Sequence, residues 1–179
     1  MKLFYVIVGA TPNGRNIEQH DVFFGIAEKI EDLFPEIKAF WKGAKVHIDC
    51  WQTLDFVDSY EIKVVPRNSE KSNPSQLFFI NLGGYKIGFF EEFHEQHIMV
   101  GNSMSEVIKR VKKTPFYQNM GFQGAVSHVD NKHGVDIDDI YAIHDLLSPI
   151  SKEKFAIELM KSERNDVQNH AEIGYLKIS

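Results

Sequence analysis

Two stretches of the chain carry acids and histidines in matching order. Glu18, His20 and Asp21 are followed by His47 and Asp49; Glu92, His94 and Glu95 are followed by His128 and Asp130. Imidazole nitrogen and carboxylate oxygen are the donors that Zn²⁺, Mn²⁺ or Fe²⁺ require. A histidine held by a carboxylate can also act as a general base. The pattern makes His20, His47, Asp49, His94, His128 and Asp130 the candidate ligands of a divalent transition metal. Glu18, Asp21, Glu92 and Glu95 stand beside them as further polar candidates. No cofactor is required by the sequence, and a metal ion is the one these residues could take. A plainer expectation is preferred to it: a histidine at a strand start can satisfy backbone groups or pair with a carboxylate across a sheet. Recurrence fits both, since a shared scaffold repeats its structural residues as well as its ligands.

Other motifs carry less chemistry. Residues 127–139 gather His128 and His133 with Asp130, Asp136, Asp138 and Asp139. They miss the calcium-loop template, because His133 precedes the glycine where Asp or Asn is needed, and a solvated polar loop is the simpler expectation. His94 and His97 are spaced for a helix face but fall in a predicted strand, where i and i+3 point to opposite sides. Gly9 and Gly14 lack the Lys and Ser/Thr of a phosphate loop. Their spacing returns at Gly83 and Gly88, which points to a turn with positive φ. Cys50 has no neighbouring base, and no nucleophile elbow is present.

The whole-chain balance excludes some classes. The 179 residues are 43% hydrophobic and 25% charged, with a net charge of -5, an ordinary globular balance. That acidity disfavours a nucleic-acid partner. The run Lys109-Arg-Val-Lys-Lys113 is explained by the last turn of a helix, where cations complement the dipole. One cysteine allows no internal disulfide. No apolar stretch approaches a membrane span, and Met1–Val8 reads as a strand rather than a signal peptide. A cytoplasmic protein is the expectation.

The elements that must position these side chains form a repeat. Shifted by 74, Leu3-Phe4, Gly9, Gly14, Glu18 and His20 fall on Leu77-Phe78, Gly83, Gly88, Glu92 and His94. Beyond the helix, a shift of 81 pairs His47 and Asp49 with His128 and Asp130, while a shift of 89 pairs Ile48 and Asp49 with Ile137 and Asp138. The second continues further and is preferred, which makes residues 116–134 an insertion. The expected architecture is α+β: two tandem β-β-α-β-β repeats in a largely antiparallel sheet, helices on one side, related by a pseudo-two-fold axis. Repeat 1 spans 1–66, a linker 67–75, and repeat 2 spans 76–179 with an extra strand at 172–178. Strands are predicted near 2–9, 20–27, 46–54, 60–65, 76–82, 94–101, 137–145 and 154–160. One helix follows Ile30 with Pro35 in a first turn. The other opens on the capping box Ser103-x-x-Glu106.

Gly9-Ala-Thr-Pro-Asn-Gly-Arg-Asn-Ile-Glu-Gln-His-Asp-Val-Phe-Phe, Glu28-Lys-Ile-Glu-Asp and His47-Ile-Asp resemble the bacterial domain-of-unknown-function 1543 family. Leu77-Phe-Phe-Ile-Asn-Leu-Gly-Gly-Tyr, Phe93-His-Glu and Val135-Asp-Ile-Asp-Asp are similar too. The resemblance spans nearly the whole chain and implies the duplicated organisation. It implies no reaction and no site residues.

Two function classes follow. The first is a non-enzymatic binding or interaction protein using an inter-repeat groove or a sheet edge, with the spare C-terminal strand free to pair within a homodimer. The second is a metal-dependent enzyme, such as a hydrolase, using the His and carboxylate clusters. Convergence of His20 and His47 on one point discriminates them.

Overall fold

A computed structural model describes residues 1–69, 73–121, 140–164 and 168–178, with 128–129 described by backbone alone. In chain order the strands and helices are β1 (Lys2–Ala10), β2 (Gln19–Ala27), α1 (Phe34–Phe40), β3 (His47–Thr53), β4 (Phe56–Val57), β5 (Tyr60–Pro66), β6 (Gln76–Tyr85) and β7 (Glu92–Gly101). Then follow α2 (Met104–Val111), α3 (Pro115–Asn119), β8 (His128–Val129), β9 (Ile140–Ala142), α4 (Ile143–Leu146), α5 (Pro149–Lys154), β10 (Phe155–Lys161) and β11 (Ala171–Lys177). The class is α+β, and every strand pairing among the described residues is antiparallel.

The chain divides into two compact units, Met1–Ser72 with Leu146–Ser179, and Asn73–Asp145. In the first, β1 lies between β2 and β3, with β11 outside β3, and β4, β5 and β10 make a second sheet. Phe4, Val6, Val8 and Ala10 put one face of β1 into a core with Ile30, Leu33, Ile37 and Ile48. Alternation along a strand delivers that face, and the helical spacing 30, 33, 37 delivers the partners. As expected, Pro35 sits in the first turn of α1, behind a 3-10 turn at Ile30–Leu33. In the second unit β6 is central, and Phe78, Ile80 and Leu82 pack with Val107 and Val111 of α2. The Ser103 side chain caps α2 by accepting from the Glu106 N–H. The Glu106 carboxylate takes the Asn102 N–H rather than that of Ser103, so the box closes one residue early.

Three expectations change. Of the strand predicted at 137–145, residues 137–139 lie outside the described residues, Ile140–Ala142 is strand, and the chain turns helical at Ile143–Leu146 where strand was expected. β10, expected to close the second copy, pairs with β5 from Phe155↔Pro66 to Lys161↔Tyr60. β11 likewise pairs with β3. Both runs are apolar enough for any sheet, and hydrophobic pattern alone does not choose the partner.

The third concerns the register after the helix. Gly83↔His128 and Leu82↔Val129 take the places that Gly9↔His47 and Val8↔Ile48 hold in the first unit, an offset of 81. Ile80↔Ile140, Phe79↔Tyr141 and Phe78↔Ala142 take those of Val6↔Trp51, Tyr5↔Gln52 and Phe4↔Thr53, an offset of 89. Each shift holds over its own stretch. The difference of eight residues lies between Val129 and Ile140, so the extra length is not one block at 116–134. Pro115–Asn119 is helical, and Gly84 packs so closely beneath Phe116 and Met120 that a Cβ there would lie 2.7 Å from Met120 Cβ.

Candidate functional site

Gly9 is flanked in the sheet by His20 on β2 and His47 on β3. Cross-strand partners share a face, so both imidazoles stand beside a position with no side chain. The absence matters: a Cβ on Gly9 would lie 2.5 Å from His47 Nε2 and 2.8 Å from Asp49 Oδ2. Asp49 reaches the same place through a bulge. Ile7 pairs with Cys50 and Val8 with Ile48, which leaves Asp49 as the extra residue, and a bulge re-aims the side chain it carries. β11 is irregular at the same level, between Ile173↔Cys50 and Leu176↔Ile48. Its Tyr175 ring lies over the His47 ring, centroids 4.4 Å apart.

Four side chains meet there. His47 Nε2 lies 3.0 Å from Glu18 Oε1 and 3.2 Å from Asp49 Oδ1. His20 Nε2 lies 3.5 Å from Glu18 Oε2 and 3.3 Å from Asp49 Oδ2. Each carboxylate thus spans both imidazoles, and both imidazoles present Nε2 to the same pair of acids. His47 is buried, while the His20 and Glu18 side chains are about half exposed (52% and 43%), so solvent reaches one side. Asp49 Oδ2 is buried and receives no aligned hydrogen bond despite its 3.3 Å contact. A buried acceptor in that state calls for a ligand, a proton or a water.

The donor set fits a divalent transition metal in type. Four ligands on a tetrahedral ion with bonds of roughly 2.0–2.1 Å stand about 3.3–3.4 Å apart, and the four nitrogen–oxygen separations run from 3.0 to 3.5 Å. Among the described residues, however, no group of three or more His, Cys, Asp or Glu is already arranged to hold an ion. The reason is visible in the atoms. Each acid divides its two oxygens between the histidines instead of aiming one at a common centre.

The other candidates disperse. Asp21 follows His20 on the opposite face and accepts from the Val22 N–H at 2.8 Å. His94 pairs with Gly83 and approaches Glu92 at 3.9 Å. Glu95 serves His97 on the other face at 2.7 Å, without hydrogen-bond alignment, so His94 and His97 diverge as the strand reading requires. His128 is described by backbone alone, and Asp130, His133, Asp136 and Asp138 lie outside the described residues. Gly14 and Gly88 take φ of +81° and +88°, as the turn reading expects. Arg110 donates to the Val100 carbonyl, and Phe116 and Tyr117 are partly buried against the core of the second unit. Sequence reasoning missed Tyr175, because nothing in its neighbourhood signals that β11 docks beside His47.

Cys50 reports on this cluster. Burial, and secondarily the Asp49 charge, push its thiol above the ordinary range. Removing that charge lowers the thiol pKa, and thiolate rises tenfold per unit. Asp49→Asn is therefore expected to speed alkylation of Cys50 severalfold at fixed pH, measured by mass spectrometry against time. An unchanged rate would mean that Asp49 does not act on the thiol.

The family model described as Domain of Unknown Function (DUF1543) matches residues 15–64. That segment contains Glu18, His20, His47 and Asp49, while Gly9 and Tyr175 lie outside it. Among solved structures, the crystal structure of a protein Il1583 from Idiomarina loihiensis is similar at 22% identity, with a TM-score of 0.58. The match covers 99% of this chain and 97% of that one, and it speaks for the fold. No curated protein matches the chain. No helix among the described residues is long and apolar enough to cross a membrane.

Proposed function

We propose that this member of the DUF1543 family is a binding protein whose ligand is a divalent transition-metal ion, held in the first unit by His20, His47, Asp49 and Glu18. One observation carries the reading: both imidazole Nε2 atoms face the same two carboxylates at 3.0–3.5 Å around a glycine that leaves them room. Two anionic oxygen donors beside two neutral nitrogen donors suit zinc and its neighbours. Tyr175 supports the ring of His47 from β11, and such outer supports orient ligands. The exposed side of the cluster leaves a coordination position for water or a small anion. This is the arrangement a metal-dependent hydrolase also uses, so the enzyme is the second reading.

The sheet edge is a weaker interaction site. β11 is an edge strand carrying Glu172 and Lys177, interrupted at Gly174 with φ of +145°, features that discourage strand addition. The duplication is part of the same proposal. Its support is the shared register about Gly9 and Gly83, together with the pairing of β5 and β10. Those two strands are alike in sequence, and their register centres on Lys63↔Glu158. That is the local two-fold relation expected of equivalent strands from two copies.

Elemental mass spectrometry on untagged protein purified without chelator tests the function. Near-stoichiometric zinc, manganese or iron, lost in His47→Ala and His20→Ala, is the expected result. Protein that is empty and ignores added metal sinks the proposal.

A further inference from the structure

We infer that the metal cluster receives a small organic carboxylate with an apolar body. Its head sits on the ion beside Lys177, and its body lies across Val22, Ile7, Cys50 and Ile173. The inference rests on the metal reading of the first unit and names the class of molecule that site takes. Two rows of side chains share one face of the sheet. His20, Gly9, His47 and Lys177 are successive cross-strand partners over β2, β1, β3 and β11. Val22, Ile7, Cys50 and Ile173 are successive partners over the same strands, two residues along β1. Cross-strand partners share a face, as do residues two apart on a strand. The second row therefore runs beside the histidines at about 7 Å and spans about 14 Å from β2 to β11.

That row is apolar and open. Val22, Ile7 and Cys50 are partly exposed, and Ile173 is 91% exposed on the edge strand. Tyr175, 68% exposed, continues the apolar surface onto the ring of His47. Edge strands ordinarily turn charged groups to solvent, so Ile173 and Tyr175 are out of place there. Apolar residues scattered singly need no explanation, but a contiguous row against a polar centre is the composition of a small-molecule site. The head group follows from charge. A divalent ion, two carboxylates and two neutral imidazoles sum to zero. Lys177 stands opposite His47, with Cβ atoms about 5 Å apart, and supplies the positive charge that an arriving carboxylate meets. A reach of about 7 Å from head to body suits an arylalkyl acid.

Zinc-loaded full-length protein is titrated calorimetrically with 3-phenylpropionate and with acetate. The phenyl acid is expected to bind at least ~10-fold more tightly, the effect of partly burying one ring. Ile173→Asn should reduce that preference severalfold, and Lys177→Gln should weaken both acids alike. Both side chains are exposed, so the fold tolerates their replacement, and native mass spectrometry counts the zinc held by each variant. Equal affinities for the two acids, binding of neither, or a preference untouched by Ile173→Asn overturns the inference and leaves the metal site standing. Phenylpropionate affinity unchanged when zinc is stripped does the same. A chain that takes up no zinc overturns the metal reading, and this inference with it.

Discussion

Alanine at position 9 is expected to lower divalent-metal affinity at least ~100-fold while leaving the sheet intact. The new methyl carbon would lie 2.5 Å from His47 Nε2, 2.9 Å from His47 Cε1 and 2.8 Å from Asp49 Oδ2. No side chain tolerates such contacts, and what yields is the softer partner. All three obstructing atoms belong to side chains, so the imidazole and carboxylate swing away and β1 keeps its register. Disturbing groups that merely support ligands typically costs 10–100-fold in affinity, and here two ligands move together. In thermal melts, Zn²⁺ at about 100 times its dissociation constant adds about 2.7 kcal/mol to the wild type. For a chain of this length that raises Tm by roughly 5–10 °C. Gly9→Ala should show almost no rise. Wild-type affinity in that variant would place the ion, or the function, elsewhere.

The second large effect is mechanical. Asn169 holds the C-terminal segment to the turn after β3. Its Oδ1 accepts from the N–H groups of Asp55 and Phe56 at 2.8 and 2.9 Å, and its Nδ2 donates to the Phe56 carbonyl at 3.0 Å. One residue on, the His170 carbonyl accepts from the Thr53 N–H, and β11 begins. Asn169→Ala strands three backbone groups in a partly buried place. At about 1 kcal/mol each, more where water cannot replace the partner, the loss comes to about 2–4 kcal/mol. The expected readout is a fall in Tm of roughly 5–15 °C, with the amides of Ala171–Lys177 losing hydrogen-exchange protection before those of β1. Asn169→Asp keeps the two accepted bonds and should fall between. If Asn169→Ala stayed within about 0.5 kcal/mol of the wild type with β11 still protected, the clamp would have no mechanical role.

The link between the two is Tyr175. Once β11 loosens, the ring over His47 goes with it, so Asn169→Ala should weaken metal binding without touching a ligand.

Much of this arrangement is written locally in the chain. Continuous apolar runs mark β1 and β6, Pro35 starts α1, and positive φ at Gly14 and Gly88 matches the repeated spacing. The residues of the site are legible for the same reason: donor type and position near a strand start can be read without knowing the fold. What stays hidden is set by pairing. The bulge in β3 has no residue signature, and Gly174 marks the irregularity in β11 without telling that Tyr175 will meet His47. Whether β10 finds β5 or a strand of the second unit depends on partners far away in the chain. Gly9 itself reads as the start of a turn, and only the observed neighbours reveal that its lack of a side chain makes room for two histidines.

The bulge in β3 bears on how this chain can vary over time. At the matching place in the second unit, between Val129 and Ile140, the chain carries eight more residues, yet β6 keeps its partners on both sides. Lengthening a loop fivefold costs only about 1.4 kcal/mol of closure entropy. The bulge is thus a seam at which length can be gained without re-registering a strand, and it opens directly beside the histidines. New recognition elements could be grafted between Asp49 and Cys50 one at a time, with the sheet on either side indifferent to each.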